Sequence, residues 1–119
     1  MKNCFEFSAA EKQDYCSRLT GVLVELRRRL GQTQEEMESV SGISRVTLSQ
    51  IESGRSRMSW LHFSALMLLF CQNRETKELL YLRGVLDEDL LRVYQRLKPE
   101  EKPEFNPEAP MEPPVRRES

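Results

Sequence analysis

No proline occurs before Lys98; all six (Pro99, Pro103, Pro107, Pro110, Pro113 and Pro114) lie in the last stretch of this 119-residue chain. A proline inside a helix removes a hydrogen bond and clashes with the preceding turn. The sequence up to Lys98 is therefore free of helix breakers. Beyond it the prolines sit among Glu with almost no aliphatic side chains, so a flexible, solubilising tail is expected over residues 99–119. A protein-binding role for that tail stays open. Cysteine is scarce and odd in number, at Cys4, Cys16 and Cys71, too widely spaced for a disulfide framework or a metal-ligand pattern. Reduced thiols are expected, with Cys71 packed. His62 is the only histidine and has no partner set for metal binding or catalysis, which leaves a surface or capping role. No apolar run approaches the roughly 20 residues that span a bilayer, and the first residues carry no charged-then-apolar signal pattern. A cytoplasmic protein without membrane association is expected. There is no Gly-rich phosphate loop, no metal-ligand cluster and no nucleophile beside a plausible base, so neither an enzyme nor a cofactor is implied.

Helical patterns are what the sequence does contain. Ser8-Ala9-Ala10-Glu11 is a capping box that opens a first helix. Tyr15, Leu19, Val22, Leu23, Leu26 and Leu30 then recur at helical spacing up to Gly31. Gly21 within it costs about 1 kcal/mol relative to Ala and marks a possible bend. Ser59 caps a fourth helix running to about Phe70, with Trp60, Phe63, Leu66, Met67 and Phe70 for the core. A fifth spans about Arg74 to Arg83, with Leu79, Leu80 and Leu82, and closes at Gly84. A sixth starts near Leu86–Asp87, where Asp87, Glu88 and Asp89 crowd its positive end. Leu86, Leu90, Val93, Tyr94 and Leu97 form a continuous apolar stripe along it. Both packing back on the first helix and forming half of a dimer interface are open for that stripe. Leu80 and Leu91 lie off it and suggest a second apolar face.

The second and third helices flank one glycine. Thr33 and Glu36 form a capping box for a helix starting at Gln34, and Met37 is its clear apolar residue. Gly42 supplies the permissive backbone of a tight turn. Ile43 follows as a buried plug and Ser44 caps the next helix. Leu48 and Ile51 share its inner face, leaving Arg45, Val46, Thr47, Ser49 and Gln50 outside, and Ser53-Gly54 ends it. Small polar residues and an Arg on one side, aliphatics on the other, are the format of a helix that lies in the DNA major groove.

Over roughly residues 18–70 this pattern resembles the phage repressor/Cro-type (XRE-family) helix-turn-helix domain of bacterial transcriptional regulators. The resemblance rests on Gln34 opening the first motif helix, on Gly42-Ile43-Ser44 at the turn, on Leu48 and Ile51, and on Glu52-Ser53-Gly54-Arg55. Upstream, Leu23, Leu26, Arg27 and Gly31 fall at the family's first-helix core, arginine and stop. One position departs from the family: Glu38 stands where a small residue, often Ala, normally lets the two helices approach. A carboxylate there must be desolvated, paired or turned outward.

The resemblance, combined with side-chain chemistry, implies roles. Arg45, Val46, Thr47 and Gln50 would read bases: the Arg45 fork on guanine O6 and N7, Gln50 on adenine, Val46 and Thr47 on a thymine methyl. Gln34 and Ser44 would clamp phosphates at the two helix starts, with Ser49, Arg55 and Arg57 as further phosphate contacts. Arg27 and Glu52 would form a scaffolding ion pair. The net charge of −1 is unhelpful for DNA binding, but residues 44–60 hold Arg45, Arg55 and Arg57 against Glu52 alone. Glu35, Glu36 and Glu38 dilute that charge, so affinity for random DNA should be modest.

The expected fold is all-α, a compact bundle of five to six helices containing a repressor-like helix-turn-helix. Its divisions are a DNA-binding domain over 8–72, a C-terminal helical extension over 73–98 and the tail. The expected function is a sequence-specific transcriptional regulator that binds double-stranded, palindromic DNA as a homodimer through a recognition helix at about Ser44–Ser53. Leu90, Tyr94 and Leu97 are the dimerisation candidates. The alternative is a protein-interaction module, such as an antitoxin or an adaptor, using the C-terminal helices or the tail.

Overall fold

A computed structural model describes residues 7–96, which form six α-helices and, among the described residues, no strand. They are α1 (Ala9–Arg29), α2 (Gln34–Ser41), α3 (Arg45–Glu52), α4 (Trp60–Phe70), α5 (Arg74–Leu82) and α6 (Glu88–Arg96). Cys4, Leu97 and the tail over 99–119 lie outside the described residues. Every helix starts where a side chain meets the unpaired N–H groups of its first turn. The Ser8 hydroxyl accepts from Glu11 N–H at 3.1 Å while Ser8 N–H donates to the Glu11 carboxylate at 2.8 Å. Thr33 and Glu36 repeat this reciprocal pair. Ser44, Ser59, Asn73 and Asp87 cap α3, α4, α5 and α6. Such caps contribute about 1 kcal/mol each, which explains why short helices such as α2 and α3 begin where they do. α1 runs unbroken through Gly21.

Burial follows the apolar periodicity. Leu19, Leu23 and Leu26 of α1 pack against Phe63, Leu66, Met67 and Phe70 of α4, all at most 1% exposed. Met37 of α2 and Leu48 and Ile51 of α3 are fully buried in the same cluster, and so are Leu80 and Leu90. Trp60, expected in the core, lies at its edge. Its ring stacks on Phe63 at 4.7 Å and packs with Phe7 and Tyr15, and the Lys12 ammonium stands 5.7 Å from it. The one buried polar residue among those described, Thr76, is satisfied: its hydroxyl donates to the Phe70 carbonyl at 2.5 Å, closing the end of α4. His62 is half-buried instead of lying on the surface; its backbone N–H takes the Ser59 cap, and its Nδ1 is enclosed without a hydrogen-bond partner.

Of the two readings open for the α6 stripe, packing is the one the fold shows for Leu90: this dimerisation candidate is 0% exposed within its own chain. The stripe on α6 turns inward because Asp87, at its start, is tied to α1. The Tyr15 hydroxyl donates to Asp87 at 2.6 Å and Arg18 donates to it at 3.0 Å and to the Gly84 carbonyl at 3.1 Å. Arg18 also pairs with Asp14 and lies over the Tyr15 ring. Once α6 is anchored there, Leu86, Leu90 and Val93 fall onto the core. Tyr15, in the part of α1 that precedes the family resemblance, and Arg18, at the start of it, thus supply the clamp for the last helix.

The Asp87 carboxylate is the test of that clamp. Burial pushes its pKa up, but the hydrogen bonds from Tyr15, Leu90 N–H and Arg18 outweigh this and hold it below the usual carboxylate range. A group depressed on folding stabilises above its unfolded pKa of about 4, and the contribution fades as pH falls through the folded value. Asp87→Ala should cost about 1–3 kcal/mol in urea unfolding at pH 7, since it removes a cap, takes the acceptor from the Tyr15 hydroxyl and leaves Arg18 only Asp14 and the Gly84 carbonyl. The deficit should narrow below about pH 4. Equal stability of mutant and parent at pH 7 would mean that α6 is held by its apolar face alone.

Candidate nucleic-acid interface

The turn between α2 and α3 depends on Gly42. Its φ is +78°, and its N–H donates to the Glu38 carbonyl at 3.0 Å. A Cβ built there meets nothing within 4 Å, so the requirement for glycine is conformational and not one of space. Ser41 steadies the approach: its hydroxyl donates to the Met37 carbonyl at 2.6 Å and accepts from Ile43 N–H at 3.0 Å. Ile43, 5% exposed, plugs the turn, and Ser44 then caps α3. Glu38 is turned outward to solvent, the cheapest of the three outcomes open to it, because α2 offers Met37 and the small Ser41 to its neighbours.

The end of α3 is fixed by the Glu52 carboxylate. Arg27 of α1 donates to it twice, at 2.7 and 3.0 Å, and Gln34 of α2 donates to it at 3.0 Å. A third Arg27 N–H reaches the Gln32 carbonyl at 2.9 Å. The pair is nearly enclosed, with side chains 15% and 8% exposed. Burial pushes the Glu52 pKa up, but the bonds from Arg27 and Gln34 more than offset that and leave it below the ordinary range. Three helices therefore meet at one carboxylate. Gln34, expected to clamp a phosphate, donates one amide N–H to Glu52; its second amide N–H and its backbone N–H at the start of α2 are further donors.

With the inner face committed, the outer face of α3 is open. Val46 is 60% exposed, an apolar residue standing in solvent with no core to fill. Arg45, Ser49, Gln50 and Arg55 are exposed around it. Gln34, Arg45, Val46, Ser49, Gln50 and Arg55 line one open depression. Arg57 is not among them; it lines a separate cleft with Gln13, Ser17 and Thr20 of α1. Thr47 is half-buried, and its hydroxyl accepts from the Ser44 hydroxyl at 2.9 Å. The loop after α3 folds back on Gln50, whose backbone carbonyl accepts from Arg55 and Ser56 N–H at 2.8 and 3.2 Å. The Ser56 hydroxyl also donates to the Gln50 amide oxygen at 3.2 Å.

Three residues with a part in this surface escaped sequence reasoning. Ser41 and Ser56 act through hydrogen bonds that carry no periodic signal. Glu35 contacts Arg45 at 3.3 Å across the helix pair, and only the three-dimensional crossing brings them together. Among the described residues no group of His, Cys, Asp and Glu is arranged to hold a metal ion, and no helix is long and apolar enough to cross a membrane.

A family model described as a helix-turn-helix domain matches residues 18–80, from the middle of α1 to α5. Neither the curated proteins nor the solved structures contain a match to the chain.

Arg27 can be tested apart from any ligand. Arg27→Ala leaves the Glu52 charge enclosed with one remaining side-chain donor, and it should cost about 3 kcal/mol at pH 7 by urea unfolding. Without the guanidinium, burial raises the Glu52 pKa in the mutant, so the mutant regains stability as pH falls while the parent loses it. The gap between the two should therefore close towards pH 4. A gap that stays constant with pH would mean that Arg27 acts through packing of its stem and not through its charge.

Proposed function

Because the chain belongs to the helix-turn-helix domain family, we propose that it is a sequence-specific DNA-binding transcriptional regulator that inserts α3 into the major groove. The observation that carries this reading is the exposed side of α3. An isolated valine, an arginine and a glutamine project from a short rigid helix whose two ends are fixed by Ser44 and Glu52. A helix of this size fits the groove, and its first residues are the ones that reach base edges. In this reading Arg45, Val46, Thr47 and Gln50 face bases, with Gln50 donating through its NH2 while its amide oxygen stays with Ser56. Ser44, Ser49, Arg55, Arg57 and the backbone N–H of Gln34 face phosphates.

Base and phosphate roles separate experimentally. Selection from a random duplex pool with the purified protein should return a palindrome. On that site Arg45→Ala should cost about 1–3 kcal/mol and relax the preference at one or two base pairs. Arg55→Ala should weaken binding to all sequences alike and lower the salt slope by about one. An Arg45 variant with unaltered sequence preference would put a different face of α3 in the groove.

One recognition helix covers only about four to six base pairs, so the regulator is proposed to act as a homodimer on two half-sites. Because Leu90 is interior, the surface is reassigned to Leu68 of α4, 64% exposed, and the half-buried Tyr94 of α6. These border an apolar cleft of about 380 Å³ together with Ser64, Met67 and Cys71. Leu68→Lys changes a largely exposed side chain and should convert the dimer to a folded monomer in sedimentation, with operator affinity reduced to that of a half-site. A folded dimer from this variant would move the interface elsewhere.

A further inference from the structure

Three carboxylates stand on the exposed part of α2, and they are not equivalent. Glu36 is used by its own helix, accepting from Thr33 N–H, and Glu38 faces solvent. Glu35 reaches across to the recognition helix, where its Oε1 lies 3.3 Å from the Arg45 guanidinium. Both side chains are well exposed, 74% for Glu35 and 56% for Arg45, so the pair adds little to the stability of the fold. Nothing in the packing of α2 needs a carboxylate there. We propose that Glu35 is a specificity-determining residue that keeps Arg45 for guanine and away from phosphate, an inference that rests on the DNA-binding reading above.

The argument is a comparison of ligands. Every duplex offers phosphates, and an unpaired arginine at the start of α3 gains as much from a random sequence as from the right one. A carboxylate beside that arginine repels a phosphate within a Debye length of roughly 8–10 Å. It repels the edge of guanine far less, because O6 and N7 carry only partial charges where a phosphate carries a full one. The contact is made by one guanidinium nitrogen only. The remaining N–H groups of the fork can still address O6 and N7 together. Glu35 therefore taxes the sequence-independent contact more than the base contact. Among the acidic residues of α2, Glu35 is the one in contact with Arg45.

Glu35→Gln keeps the size of the side chain and removes its charge. Binding of parent and variant to the selected duplex and to a random duplex of equal length would be compared, with far-UV circular dichroism as a check that both are folded. The variant should bind random DNA about two- to five-fold more tightly. It should gain less on the selected site, and should lose guanine preference at the base pair identified by Arg45→Ala while other positions keep theirs. In an Arg45→Ala background the same substitution should change no base preference. Intact guanine preference in Glu35→Gln, or an equal loss at every position, overturns the proposal while leaving the DNA-binding reading in place. A parent protein that binds all duplexes alike would instead overturn that reading, and the role of Glu35 with it.

Discussion

A buried carboxylate sets the geometry of the exposed surface. Glu52 ends α3, and its two oxygens collect Arg27 from α1 and Gln34 from α2. Removing such a charge from water is costly, and it is tolerated only where hydrogen bonds occupy its lone pairs. Here three donors do so. The consequence is angular: α3 is pinned at its C-terminal end to both preceding helices, while Leu48 and Ile51 pin its inner face. A helix of eight residues is marginal by itself, and this one owes its direction to those contacts. Whatever projects from its outer face, Arg45 and Val46 above all, is aimed by Glu52.

A second constraint closes the other end of the molecule. Tyr15 and Arg18 of α1 converge on Asp87, the cap of α6. The same carboxylate completes the first turn of α6 and docks it. Tyr15, in the extended part of α1, and Arg18 just after it supply the site to which α6 attaches. The aromatic group of Phe7, Tyr15, Trp60 and Phe63 lies beside it, so the tie is backed by apolar burial and does not depend on charge alone.

Much of this was legible because it is local. Caps are written within four residues, and Ser8 with Glu11, Thr33 with Glu36, Ser44 and Ser59 each mark a helix start that the structure retains. Periodicity identified the inward residues of α1, α3 and α4. What it left undecided was the partner of an apolar stripe. The spacing of Leu86, Leu90, Val93 and Tyr94 establishes a face; the covering of that face is decided by Asp87, whose partners Tyr15 and Arg18 are some 70 positions away in sequence. The Arg27–Glu52 contact came from resemblance to a family and is present, but the addition of Gln34 to it was not foreseen, since an amide at a helix start serves a phosphate or a neighbouring carboxylate equally well. Glu38 raised a question of crossing distance that the backbone answers by rotating it to solvent.

The charge balance takes on meaning in this light. A net charge of −1 looks unfavourable for a protein proposed to meet a polyanion. Yet affinity for any duplex is the background against which a preferred site must compete, and that background grows with each free cation. In this chain the cations near α3 are partly committed: Arg27 to Glu52 and Arg45 to Glu35. Arg55 is left exposed at the margin of the depression. Acidic residues around a recognition helix lower total affinity, but they lower it most for contacts that carry no sequence information. On the proposed reading, weak net charge and a geometrically fixed α3 are two parts of one solution, in which discrimination comes from suppressing the general interaction as much as from strengthening the particular one.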